Sequence, residues 1–130
     1  MLSFDEVGEL LDEMAETFPE EFFRELNGGI SLLPQKKRDR KTGPDLFIMG
    51  EYCFNEMGRY INLYYGSFAA VYRHETDEVL KEELFQTLTH ELTHHMESLA
   101  GDRSLEYKDE RFLQEYRLER KISDDSGTNS

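Results

Sequence analysis

Phe4, Val7, Leu10, Leu11, Met14 and Phe18 recur at spacings of mostly three and four, the rhythm of a helix with one apolar face. Ser3, with Glu6 three positions later, supplies a capping box for its start. Pro19 restarts a short helical turn in "PEEFFREL", and Asn27, Gly28 and Gly29 end it. The rhythm then changes. "ISLLP", "LFIMGEY" and "RYINLYYG" are short runs rich in Ile, Leu, Phe and Tyr, bounded by Gly, Pro and Asn, and they predict three strands. "CFNEMG" joins the second to the third as a hairpin with Asn55 and Gly58 as turn residues. "SFAAVY" reads as a short helix or a connector. From about Thr76 to Ala100 the pattern is helical again, with Gly101 as its natural stop. A last helix is predicted from Ser104 to Lys121, docked by Phe112, Leu113, Tyr116 and Leu118. These elements predict one α+β domain over residues 1–122. Its short sheet, of three strands with room for a fourth, packs against helices, and residues 123–130 form a disordered tail.

Composition narrows the class. A chain of 130 residues suits a single core, and nine Phe and seven Tyr provide bulky material for it although only 38% of the residues are hydrophobic. A formal net charge of −13 excludes a general nucleic-acid binder, which needs surplus Lys and Arg to neutralise phosphates. The exception is local: "PQKKRDRKTGP", residues 34–44, holds five basic residues against one acid and reads as a solvated loop, with a lid or a contact for an acidic partner as the sharper alternative. Cys53 is alone, so no internal disulfide forms. "MLSFDEVGELLDEM" is acidic and amphipathic, unlike a signal peptide, and no apolar run approaches the ~20 residues of a membrane span. The expectation is a soluble, cytoplasmic protein that binds neither nucleic acid nor membrane.

Candidate chemistry concentrates in "LFQTLTHELTHHMESLAGDRSLE", which holds three of the four histidines. On a helical wheel Leu80, Leu84, Phe85, Leu88, Leu92, Met96 and Leu99 spread over one broad face, and His90 and His94 fall nearly opposite. Residues four apart lie one turn above each other, so both imidazoles reach a common point. H-E-x-x-H therefore offers zinc two nitrogen ligands, with Glu91 beside them to take a proton from a metal-activated water. The bland alternative is a solvated polar face. Glu91 and His94 also fit the Glu-x-x-His of di-iron bundles, but that site needs a second copy, which this chain lacks.

A catalytic zinc takes three protein ligands. Glu97, Asp102, Glu106 and Asp109 are the downstream candidates. Glu97 lies about 7–8 Å along the axis from the midpoint of the histidines, which favours a supporting role. A left-handed Gly101 would turn the chain back towards the metal, making Glu106 the first choice, ahead of Asp102 and Glu97. The alternative for Glu106 is charge stabilisation at the start of the last helix. His95 points about 100° away from His94 and reads as a cleft wall or as surface. Tyr64 and Tyr65 are packing residues or donors to an oxyanion.

At "HELTHH", with a short sheet ahead of a long helix, the chain resembles the small bacterial zinc metallopeptidases called minimal zincins. Members commonly show H-E-x-x-H-H-x-G-x-x-D, the final Asp being the third ligand. Here Glu97 stands in the Gly position and Ala100 in the Asp position, so His90, Glu91 and His94 carry over and the third ligand does not. The resemblance implies a zincin-like fold, one Zn2+ per chain and hydrolysis of a peptide or protein substrate. With the third ligand taken from the turn after Gly101, the expected metal ligands are His90, His94 and Glu106, and Glu91 is the expected general base. The alternative is a non-catalytic metal-binding or protein-interaction module on the same frame.

Overall fold

The computed structural model describes residues 1–39 and 46–102. The predicted last helix, the tail and Glu106 lie outside them, as does Asp109. Helix α1 spans Phe4–Ala15, and its capping box is formed: the Glu6 amide donates to Ser3 Oγ at 3.1 Å and the Ser3 amide to Glu6 Oε1 at 2.8 Å. A 3-10 turn, Glu20–Phe23, follows Pro19 and drives Phe22 into the core. Strands β1 (Gly29–Leu33), β2 (Lys37–Arg38), β3 (Phe47–Ile48), β4 (Gly50–Asn55) and β5 (Gly58–Tyr64) come next, then α2 (Tyr65–Tyr72) and α3 (Asp77–Asp102).

The result is an α+β fold with three helices and two small sheets among the described residues. The larger is mixed, in the order β1-β5-β4: β1 runs parallel to β5, and β4 antiparallel to it. The β4–β5 hairpin closes on Asn55 and Gly58 with Glu56 and Met57 at its tip. Gly58 takes a φ of +110°, and Asn55 Oδ1 accepts the Met57 amide at 2.8 Å. The second sheet pairs β2 with β3, so part of the basic segment is strand where the composition suggested only a loop. Likewise "LFIMGEY" divides at Met49 between two sheets, and "SFAAVY" belongs to a helix.

Leu80, Leu84, Leu88, Leu92, Met96 and Leu99 of α3 are all buried, together with Phe18, Phe22, Ile61, Leu63 and Phe68. Each contributes roughly 1.5–3 kcal/mol relative to exposure. Burial on α3 extends beyond the apolar stripe, however. Thr87, Thr89 and Thr93 are buried too, their hydroxyls donating back to the carbonyls of Glu83, Phe85 and Thr89 at 2.8 Å. α3 is therefore a central element with neighbours on most sides.

Gly50 sets how closely it sits. A Cβ there would lie 2.6 Å from Leu63 Cδ2, 3.0 Å from Thr87 Cγ2 and 3.3 Å from Glu91 Cγ. No described helix is long and apolar enough to cross a membrane. Gly50→Ala is expected to lower stability by about 1–3 kcal/mol through overpacking of the strand–helix contact. Urea unfolding checks this, and a midpoint equal to wild type would contradict it.

Candidate metal centre

His90 and His94 stand one turn apart on α3 because helical geometry stacks positions four residues apart. Their Nε2 atoms approach to 3.1 Å, with the rings nearly perpendicular. The His94 Nδ1–H donates to Glu97 Oε1 at 3.2 Å, because a carboxylate can only accept. That bond leaves the Nε2 lone pair of neutral His94 aimed at His90. Two imidazole nitrogens this close need a proton or a cation between them. A separation of 3.1 Å puts both nitrogens within reach of a single ion. The donor set and spacing fit a divalent metal such as zinc.

Glu91 is fully buried on the side of α3 that meets β4, under Gly50. A buried carboxyl is costly to a fold unless hydrogen bonds or nearby charge offset its desolvation. Glu97 supports His94, as its position on the helix suggested.

The third ligand is where the sequence reading changes. Gly101 does not turn the chain back: residues 101 and 102 remain helical, and a helix carries Asp102 about 15 Å along the axis from the midpoint of the two histidines. The Asp102 backbone therefore lies well beyond the turn that carries the two histidines. Among the described residues no group of three or more His, Cys, Asp or Glu gathers around one point, and Glu106, the first choice, lies outside them.

His95 is neither a cleft wall nor surface. It is fully buried; its Nε2–H donates to the Arg24 carbonyl at 2.7 Å, and Nδ1 accepts from the Tyr52 hydroxyl at 2.9 Å. The carbonyl can only accept, which fixes the neutral tautomer. Burial pushes the imidazole below its ordinary pKa. The signal was present in the sequence, because 88, 92, 95 and 99 continue the core stripe; comparison with His94 alone concealed it. Tyr52 was missed as its partner, although alternation along β4 puts it on the same face as Gly50.

The two candidate oxyanion donors are otherwise engaged. The Tyr64 hydroxyl donates to Glu51 Oε1 at 2.6 Å, and the Tyr65 hydroxyl to the Leu2 carbonyl at 2.7 Å. Lys37 Nζ also reaches Glu51 at 2.7 Å, tying β2 to the larger sheet. Burial alone would raise the Glu51 carboxyl, but hydrogen bonds from Lys37 and Tyr64 outweigh it and hold the group below its usual value.

His90 and His95 therefore separate by experiment. His95→Ala is expected to cost about 2–5 kcal/mol by leaving a cavity and the Tyr52 and Arg24 groups unsatisfied. His90→Ala is expected to leave stability within about 0.5 kcal/mol in metal-free buffer. Thermal and urea unfolding of the two variants checks the contrast.

No protein-family model matches the chain, and no curated protein matches it. Among solved structures, the chain is similar to a conserved hypothetical protein from Thermo thermophilus. The two are 34% identical with a TM-score of 0.69, over 78% of this chain and all of that one.

Proposed function

The chain belongs to the same family as the Thermo thermophilus protein, and we propose that it is a zinc-dependent metallopeptidase with a minimal-zincin-like fold. The observation that carries this reading is the 3.1 Å convergence of the His90 and His94 Nε2 atoms, on a helix whose intervening turn buries Glu91. A mixed sheet lying against that helix is consistent with the zincin frame.

His90 and His94 would hold one Zn2+, with Glu106 as the third ligand. When bound, zinc supplies a Lewis acid and brings the pKa of water towards about 7. Glu91, buried against β4, would accept the proton from the attacking water and return it to the leaving amine. Glu97 keeps His94 in the tautomer whose Nε2 can donate its lone pair to a metal. β4 ends the three-stranded sheet beside the same helix, so an extended substrate can add to its edge through backbone hydrogen bonds.

Metal content by mass spectrometry of untagged protein, with His90→Ala alongside, tests the centre. The expected result is about one zinc per chain, lost in the variant. Glu91→Gln should retain the metal and lose about 10²–10⁴-fold of its hydrolysis of a peptide panel. Zinc retention with no turnover by the wild type would favour the metal-binding module, and no metal even after zinc is supplied would end both readings. Glu106→Ala should weaken zinc binding by at least about tenfold, read by competition with a chelator. Unchanged affinity would remove Glu106 from the ligand set.

A further inference from the structure

An open groove lies away from the histidines. It has a volume of about 490 Å³ and runs between α1 and β1. Phe4, Ile30 and Leu32 give it apolar walls, and Asp5, Glu9 and Asp12 line its α1 side. β1 is the terminal strand of the larger sheet, at the opposite end from β4. Edge strands carry backbone donors and acceptors ready to pair with another chain.

Gly8 makes the groove more than a gap. It sits inside α1, where glycine disfavours the helix, yet a Cβ added there would meet nothing within 4 Å. Among the described residues no packing contact requires the glycine. What it does is leave the wall of the groove low, where any larger side chain would project into the space.

We propose that this groove binds an extended, cationic segment of a partner protein, which adds to β1 as a further strand. Charge complementarity identifies the occupant. On one face of such a strand, side chains repeat every ~6.7 Å. Asp5, Glu9 and Asp12 follow one another along α1 at rises of ~6 and ~4.5 Å, so Lys or Arg side chains on alternate positions have carboxylates along that wall to meet. Their aliphatic stems then cover Phe4, Ile30 and Leu32 while the charged heads stay at the rim. The opposite strand face takes no charge requirement, so the recognised pattern is a basic residue at every second position. This surface is independent of the metal site: β4, not β1, lies beside Glu91.

The probe is a short peptide alternating lysine and valine, titrated into the full chain and followed by amide NMR shifts and fluorescence anisotropy. Shifts are expected at Gly29–Leu33 and Phe4–Ala15. A peptide of the same composition with its lysines contiguous should bind at least about tenfold more weakly. Gly8→Leu should weaken the alternating peptide by a similar factor while changing no charge, which separates the groove from general attraction to an acidic protein; circular dichroism verifies its fold. Asp5→Asn with Glu9→Gln is the second variant and should also weaken binding. Shifts confined to other surfaces, equal binding of the two peptides, or wild-type affinity in Gly8→Leu would overturn the proposal. So would concentration-dependent shifts of Gly29–Leu33 in the protein alone, which would assign the groove to a second copy of the chain.

Discussion

The contact between Gly50 and the middle of α3 is the constraint on which most of the structure depends. Strand β4 approaches the helix closely enough that Leu63, Thr87 and Glu91 occupy the space a side chain would need. That approach buries the Glu91 carboxyl, and Tyr52, two residues on along β4, meets His95 one turn further along α3. The packing that completes the core thus also holds the polar groups of the candidate centre. A single missing Cβ lets the strand–helix packing and the burial of Glu91 coincide.

The two faces of the H-E-x-x-H-H segment use histidine in opposite ways. His95 is held neutral by two directional hydrogen bonds in a dry environment, and its role is to join the loop at Arg24, strand β4 and the helix. His90 and His94 are half-buried, with their nitrogens brought together as a donor pair. Adjacent positions on one helix therefore divide between a buried, doubly hydrogen-bonded imidazole and a half-buried convergent pair, because they lie about 100° apart around its axis.

Some of the acidic charge has a definite place. Glu6 caps α1, Glu51 anchors Lys37 and Tyr64, and Glu97 sets the His94 tautomer. Asp5, Glu9 and Asp12 line one groove. Composition gives only the net charge, while the local arrangement distinguishes structural carboxylates from those that line an open groove.

What the sequence determined by itself was local. The capping box of α1, the Asn55–Gly58 hairpin, the leucine stripe of α3 and the stacking of His90 on His94 follow from backbone periodicity over four residues or fewer, and each has the form that its spacing predicts. Tertiary structure decided the rest. Whether His95 faces water or core depends on Tyr52, 43 positions away, and on Arg24, 71 positions away. Tyr64 is occupied by Glu51 only because β4 and β5 pair in their particular register. The end of α3 was misread because Gly101 permits a left-handed turn without requiring one, and the helix continues through it. Periodicity specifies the direction of a side chain on its own element, but burial and hydrogen bonding depend on which element packs opposite, and contacts between distant segments decide that.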